Sequence, residues 1–297
     1  MRKNFPPACA PGGFLRYSAY MQLPQFQAHA EAEQKHWWFR ARVRILRALL
    51  SELVPAGKST LIVDVGCGTG GNTAALGSAY HCIGIDPIPE AIESAKSRFP
   101  NEEFLCGYAP EDVAQQMREA DVVLLMDVLE HIEDDFLFTS SLFAAMKPGA
   151  HLILMAPADP KLWGAHDKGF EHFRRYELER LRLLWADLPV QERMASYCNS
   201  RLYPLVKLAR ALSRKRGKAL GAHDTDISVP LAPLNALLYG VFSTERSRLL
   251  GLLRGKKKRG FRNGVSVFAV LTRKEGECTP RPRPSSVPAD TRPWMQL

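Results

Sequence analysis

The sequence predicts an α/β fold in which a mostly parallel sheet is covered by helices on both faces. Between residues 61 and 156, short apolar runs alternate with helical patterns, the rhythm of strands buried from both sides by their connecting helices. Two of these runs, Leu61-Ile-Val-Asp-Val65 and His81-Cys-Ile-Gly-Ile-Asp86, carry an acid at or next to the end, the first running on into a glycine-rich turn. Right-handed crossovers bring the loops after residues 65, 86, 106 and 126 to one edge of such a sheet, where ligands bind.

In chain order, residues 1–30 are rich in Pro, Gly and Ala and read as a flexible arm. A helix is expected from about Glu31 to Leu53, with Trp38, Ala41, Ile45, Leu49 and Leu53 near one face and Arg40, Arg44 and Arg47 largely off it. Pro55-Ala-Gly57 stops it. Strands are expected near 61–65, 81–86, 103–106, 121–126 and 150–156, with helices near 70–78, 88–98, 110–118 and 135–146. Pro157 to Tyr176 shows no clear period but holds Trp163, His166, Asp167, His172, Arg174 and Arg175. A connection this long inside a compact domain reads as a site loop. A helix near 176–186 and a strand near 190–197 complete a core assigned to 31–198. Residues 199–260 carry two apolar helical stretches, Leu202–Leu212 and Pro233–Leu253, read as a helical cap or insertion. The last strand lies within 261–274, and 275–297, with Pro280-Arg-Pro-Arg-Pro284, reads as a disordered tail.

With 297 residues, 46% of them hydrophobic, the chain is long enough to bury a full core. Forty basic against thirty-one acidic residues give a net charge of +9, part of it in Arg254-Gly-Lys-Lys-Lys-Arg259. That run reads as a solvated loop. No aromatic residues interleave with it to stack bases, so nucleic acid is not expected as a partner. The six cysteines lie apart, which points to a reducing compartment and no zinc site. No sustained apolar segment of secretory or spanning length is visible, and a cytoplasmic location is expected.

Gly66, Gly68 and Gly70 permit a tight turn with close approach of a ligand to bare backbone. Asp64 stands two residues before the first glycine. A carboxylate there repels the phosphate that a dinucleotide turn would hold, and attracts an ammonium group instead. Asp86, at the next strand end, suits ribose hydroxyls.

On these residues the chain resembles the class I S-adenosylmethionine-dependent methyltransferases. Asp64 to Gly70 is similar to the family's first motif, Gly84-Ile-Asp86-Pro-Ile-Pro-Glu-Ala-Ile to its acidic second strand end, and Asp127-Val-Leu-Glu-His131 to the loop after strand four. Leu142 to Pro157, with Met146-Lys-Pro-Gly-Ala-His-Leu-Ile, resembles the helix and fifth strand. The resemblance implies a Rossmann-like, seven-stranded, mostly parallel sheet, S-adenosyl-L-methionine as cofactor and S-adenosyl-L-homocysteine as product. It implies that Asp64 and the amides of Gly66, Cys67, Gly68 and Gly70 hold the methionine part, that Asp86 binds both ribose hydroxyls and that Ile85 or Pro87 flanks adenine. Asp127 and Val128 join the cofactor set by the same resemblance. Many relatives carry an acid after strand three, whereas this chain has Gly107-Tyr108-Ala109. Asp112 stands too far round the helix to compensate, so backbone at Tyr108 or Ala109 is expected to serve adenine, with Tyr108 stacking.

The stretch His36-Trp-Trp-Phe-Arg-Ala-Arg42, with the later His166-Asp167 and His172-Phe-Arg-Arg-Tyr176, resembles a subgroup of these enzymes related to the type 11 and type 12 small-molecule methyltransferases. Trp37, Trp38 and Phe39 cannot all face one side of a helix, so one of them, Trp38 being the candidate, covers the cofactor or simply packs. Arg40 or Arg42 is a candidate partner for the cofactor carboxylate, with a surface arginine as the plainer reading for either one.

The implied reaction is SN2 transfer of an activated methyl to O, N or activated C of a small, partly apolar acceptor, in specialised or lipid-linked metabolism. Alignment is the protein's main task. Where the acceptor must lose a proton, His131, His166, His172 and Tyr176 are the candidate bases, and Glu130 is a structural hydrogen-bond acceptor. His166, Asp167 and His172 are spaced too irregularly to identify a metal site. The 199–260 helices could roof the pocket, touch a membrane surface or form a homodimer interface. RNA or protein methylation and a non-catalytic nucleotide- or partner-binding module are the alternative functions.

Overall fold

The computed structural model describes residues 30–216 and 228–287. The expected N-terminal arm therefore lies almost entirely outside the described residues. Seven strands form one sheet: β1 (Gly57–Val65), β2 (Tyr80–Asp86), β3 (Glu103–Cys106), β4 (Val122–Met126), β5 (His151–Pro157), β6 (Val190–Cys198) and β7 (Ser266–Arg273). Their order is β3-β2-β1-β4-β5-β7-β6. The first five run parallel, and β7 enters antiparallel between β5 and β6. Asp64 stands in register with Gly84 of β2 and Leu124 of β4. The carboxyl ends of the three central strands therefore open on one rim.

The helix expected over 31–53 is two. Residues 30–35 (α1) end at His36, whose extended backbone starts α2 (Trp37–Leu53). The break is satisfied chemically: His36 Nδ1 accepts from Trp38 N at 3.3 Å, and Asn235 accepts from Trp37 N at 2.8 Å while donating to the Lys35 carbonyl at 2.9 Å. These contacts take up donors and acceptors that a helix interruption leaves unpaired.

Helices α3 (Gly71–Gly77), α4 (Pro89–Arg98), α5 (Ala114–Glu119) and α6 (Asp135–Ala145) connect the parallel strands. Two short helices, α7 (Ala165–Gly169) and α8 (Leu178–Arg182), lie before β6; α9 (Tyr203–Arg216), α10 (Ala232–Ser243) and α11 (Arg246–Leu253) lie between β6 and β7. The stretch expected as one helix from Pro233 to Leu253 breaks at Thr244 and Glu245. Buried Glu245 there accepts from the amides of Ser200 at 2.7 Å and Arg201 at 2.8 Å.

Two apolar layers flank the sheet. On one face Ile45, Leu46 and Leu49 of α2 pack with Ile62, Leu124, Ile153 and Phe268. Phe242, Leu249 and Leu253 belong to that same cluster, so α10 and α11 finish the core layer over the sheet face instead of roofing the rim. On the other face Phe136, Phe138, Leu142 and Phe143 of α6 pack with Val63, Leu125 and Leu154. Residues 275–287, expected in a disordered tail, are tied down: Arg281 N donates to Ser140 Oγ at 2.8 Å and Cys278 and Val287 pack against the α6 layer. The run Arg254–Arg259 is exposed, with Arg254 paired to Glu52. Leu205, Leu208, Leu234 and Leu237 leave apolar surface exposed on α9 and α10. Among the described residues no helix is long and apolar enough to cross a membrane.

Truncating Phe242, a fully buried ring on α10, is expected to lower unfolding free energy by about 3–5 kcal/mol in one cooperative urea transition. A separate early transition, with the main midpoint unmoved, would instead mark α9 to α11 as an independently folding unit.

Candidate functional site

β1 delivers its chain into a turn with three left-handed glycines, Gly66 (φ 71°), Gly68 (φ 55°) and Gly70 (φ 84°). A Cβ on Gly66 would meet Val128 Cγ2 at 2.5 Å, whereas one on Gly68 would meet nothing within 4 Å. Gly66 is therefore set by close packing of the turn on the β4 loop, and Gly68 borders open space. The amides expected to reach a ligand are already used. Gly66 N and Cys67 N both donate to the Ile85 carbonyl, at 2.8 and 3.1 Å, and Gly70 N donates to Cys67 O at 3.0 Å. Gly68 N donates to Asp86 Oδ2 at 2.9 Å. With these amides engaged, the turn contributes shape, and the charged groups bordering it are side chains.

Two buried carboxylates stand there. Asp86 accepts from Gly68 N and, through Oδ1, from Ile88 N at 3.0 Å. Asp64 Oδ2 accepts from Thr73 Oγ1 at 2.7 Å, while Oδ1 is buried with no hydrogen-bond partner among the described residues. Burial pushes each carboxyl up to about 6, against the opposing pull of these donors and, for Asp64, of Arg42. Cys67 is buried, and burial together with Asp86 and Asp64 pushes its thiol well up.

Arg42 is a buried residue, contrary to the surface reading. Its Nη1 contacts Asp127 Oδ2 at 2.6 Å, Nη2 donates to Asn72 Oδ1 at 3.2 Å, and the guanidinium lies 4.6 Å from the Trp38 ring and 5.1 Å from Phe39. Nε is buried and has no partner among the described residues. The three aromatics divide their work: Trp37 packs edge-on to Phe242, Phe39 is buried, and Trp38 covers Arg42. Asp127 closes β4 with φ 59°, a conformation uncommon for a non-glycine residue. Its neighbour Val128 packs beneath Gly66.

At the β3 end, Asp112 Oδ2 accepts from Tyr108 N at 2.7 Å. The Tyr108 amide is thus taken up by Asp112. Ala109 is buried, Tyr108 is half-exposed and Pro87 is half-buried.

The loop 157–176 gathers the histidines. His131 and His172 meet edge-on with ring centroids 4.7 Å apart, and His166 lies 5.8 Å from His172. His172 is anchored by Asp167, fully buried, whose Oδ1 accepts from Arg175 Nε at 2.7 Å and His172 Nδ1 at 3.0 Å. Its Oδ2 accepts from Gly164 N at 2.8 Å and Arg210 Nη1 at 3.0 Å. Burial alone would raise this carboxyl, but Arg175, His172 and Arg210 together hold it far below the usual carboxylate range. An ionised carboxylate only accepts, so His172 carries its proton on Nδ1. Burial, opposed by Asp167, lowers the His172 pKa; burial and the neighbouring His172 lower that of His166. Glu130 is 1% exposed, its Oε2 has no partner among the described residues, and burial with the nearby Asp127 charge pushes its carboxyl up. The acceptor role expected from sequence is met in part: the carboxyl takes a hydrogen bond from its own backbone, while Oε2 has none among the described residues.

Tyr176 stands apart from the other candidate bases. Its hydroxyl is in the core, donating to Asp135 Oδ2 at 2.8 Å and to the Leu129 carbonyl at 3.2 Å. Burial and Asp135 push its pKa well up. Residues that the sequence left unassigned complete the picture. Glu33 of α1 accepts from Thr69 Oγ1 at 2.9 Å and pairs with Arg98 at 2.7 Å, strapping α1 across the glycine turn. Asn72 and Arg210 belong to the same class: nothing in the local pattern marks them, because their partners lie 30 or more residues away.

A methyltransferase-domain family profile matches residues 26–213. The chain belongs to the methyltransferase-domain family. Among curated relatives, trans-aconitate 2-methyltransferase of Methylobacterium radiotolerans is 30% identical over 119 residues, 39% of this chain and 45% of that protein. The mitochondrial ubiquinone biosynthesis O-methyltransferase of Schizosaccharomyces pombe is 37% identical over 103 residues, 31% of this chain and 36% of that protein. The chain spans about half or less of the length of these relatives. Among solved structures, Haemonchus contortus phosphoethanolamine N-methyltransferase 2 in complex with S-adenosyl-L-methionine superposes with a TM-score of 0.51 at 14% identity, covering 85% of this chain and 57% of that one. That likeness shares the Rossmann-like architecture described above.

In this methyltransferase domain, Asp167→Asn removes the charge that balances Arg175 and Arg210 in the interior. A loss of about 3–5 kcal/mol in unfolding free energy is expected by chemical denaturation; a change under 1 kcal/mol would show that the buried network contributes little.

Proposed function

We propose that the protein transfers the methyl group of S-adenosyl-L-methionine to a small, partly apolar acceptor and releases S-adenosyl-L-homocysteine. One observation carries the reading: at the rim, Asp64 keeps a buried oxygen and Arg42 a buried Nε–H, neither with a partner among the described residues. An unsatisfied acceptor on an acid and an unsatisfied donor on a base, both buried, suit the ammonium and carboxylate of an amino-acid head group. Asp86, oriented by two backbone amides, has lone pairs left for two ribose hydroxyls. The space bordering Gly68 admits the chain between head and ribose, with Pro87 and Tyr108 in reach of the base. Asp127 and Asn72 orient Arg42, and Trp38 lies against it.

The acceptor is assigned to the side bounded by His131, His166 and His172, where Phe170 lies 4.6 Å from the His166 ring and supplies apolar surface. The acceptor's lone pair attacks the methyl carbon while the carbon–sulfur bond breaks and its electron pair stays on sulfur. Positive charge on sulfur is lost, and a proton leaves the acceptor if it was a hydroxyl. His166, whose pKa burial lowers, is the candidate acceptor of that proton, while His172 bounds the acceptor; Tyr176, engaged in the core, is left out of this role. The finer placement among type 11 and 12 small-molecule enzymes is supported by the His36–Arg42 segment, since Trp38 and Arg42 of that segment meet at the pocket.

Cofactor affinity measured by calorimetry tests this. Asp86→Ala is expected to weaken binding by about 1–3 kcal/mol, and His172→Ala to leave it unchanged while lowering turnover. Equal loss of cofactor affinity in both would overturn the division of the site. Both rim carboxyls titrate near 6, so each is ionised above that pH and protonated below it. Binding of the cationic cofactor is expected to weaken as pH falls through 6, by about tenfold per group at pH 5. Stability of the ligand-free protein runs the opposite way: raised carboxyl pKa values favour the fold at low pH, and that contribution is lost as pH rises through about 6. A pH-independent dissociation constant between 5 and 7.5 would contradict the assignment.

A further inference from the structure

Glu130 and His131 lie in the turn after β4, His172 in the loop before α8, and one ligand atom from each falls within 4.8 Å of the other two. The two segments are laced together independently of these side chains. Phe173 N donates to the Glu130 carbonyl at 2.7 Å, and Arg174 donates to the carbonyls of Leu129 and Glu133 at 3.3 and 2.7 Å. The cluster is therefore held by backbone on both sides.

Two further observations point to a ligand. Glu130 is 1% exposed, yet its Oε2 receives no hydrogen bond among the described residues. A buried carboxylate oxygen without a donor is uncommon in folded proteins and costly to keep. His172 is the second. Its Nδ1 is committed to Asp167, itself clamped by Arg175 and Arg210, which leaves Nε2 as the unprotonated nitrogen. A histidine whose far nitrogen is tied to a carboxylate, with its near nitrogen left as a lone pair, is the outer-shell arrangement of metal-ligating histidines.

We propose that Glu130, His131 and His172 bind one divalent transition-metal ion, with Asp167 as the positioning residue that fixes the His172 tautomer. Two imidazoles and one carboxylate suit zinc, cobalt, manganese or iron(II) better than magnesium or calcium, which prefer oxygen. Three protein ligands leave at least one coordination position open. The metal site itself stands on the geometry alone; that the open position faces the acceptor rests on the function proposed above. Asp167 is then an outer residue, and the ligand set differs from the His166, Asp167 and His172 combination that sequence spacing had failed to support.

The test uses the full chain, stripped with chelator and titrated with Co²⁺ and Zn²⁺ by calorimetry and absorption. One equivalent of metal is expected, with Co²⁺ giving the visible bands of a low-coordinate nitrogen and oxygen site. Glu130→Gln, nearly isosteric, is expected to weaken binding at least about tenfold, as is His172→Ala; His81→Ala, at an exposed histidine elsewhere, should leave it unchanged. Absence of stoichiometric uptake by the wild type, or wild-type affinity in folded Glu130→Gln, overturns the proposal. S-adenosyl-L-methionine binding is measured in parallel without added metal. Its failure alongside intact metal uptake would strike the methyl-transfer reading and leave the metal site standing.

Discussion

The histidine side of the rim depends on one buried carboxylate. Asp167 has no solvent and accepts four hydrogen bonds, from Gly164 N, His172, Arg175 and Arg210. A lone ion in that position would be prohibitively unfavourable, and so would either guanidinium without it. Together they turn a long loop into a fixed wall: Gly164 N caps α7 on Asp167, Arg175 returns the chain toward Ala158 through a 3.0 Å bond, and Arg210 brings in α9. The insertion between β6 and β7 reaches this loop through α9, by the Arg210–Asp167 ion pair and the Tyr203–Asp159 hydrogen bond, while its other two helices complete the core.

The glycine-turn side of the rim is organised on a different principle. Packing sets the path of the backbone, with Gly66 pressed on Val128 and the turn amides consumed internally. The polar character of that side is then left to a few charged side chains, Asp64, Asp86 and Arg42, all of them buried. Arg42 is where the two sides join. Its bond to Asp127 holds the residue that closes β4, and four positions later His131 stands against His172. α2, which carries Arg42, is in turn registered by Asn235 of α10, so a helix of the β6–β7 insertion helps position the helix that carries the guanidinium.

How much of this could be read in the sequence follows from the range of the interactions. All seven strands and the rim bearing Asp64 and Asp86 were legible, because strand burial and glycine turns are local rules written in runs of five to ten residues. The placement of β7 between β5 and β6 was not read from the sequence, because strand order is not written in periodicity. The break at His36 was hidden because its compensation comes from Asn235, far along the chain. Arg42 resembled a surface residue for the same reason. Its charge is balanced by Asp127, eighty-five positions away. Tyr176 looked like a base beside two arginines, but its hydroxyl lies in the core against Asp135. Glu130 is the opposite case, since sequence marks it as an ordinary polar neighbour of His131 and only burial reveals an oxygen without a donor.

Backbone conformation gives the same division between fixed and yielding parts. Left-handed non-glycine residues are found at Asp127, Asp159, Glu171 and Asn199, each costing on the order of 1 kcal/mol or more, and they persist only where surroundings over-determine them. Asp127 is held by its amide to Met155 O at 2.8 Å and its carboxylate to Arg42. Asp159 is held by its amide to Tyr176 O at 3.1 Å and its carboxylate to Tyr203 Oη at 2.6 Å. Each is thus clamped at two points by elements that belong to the core or to α9. A lid that opened and closed would have to release such clamps at every cycle, exposing strained backbone and buried charge together. The chain leading to His131 is thus fixed at Asp127 by β5 and α2, and the loop leading to His172 is fixed at Asp159 by α9.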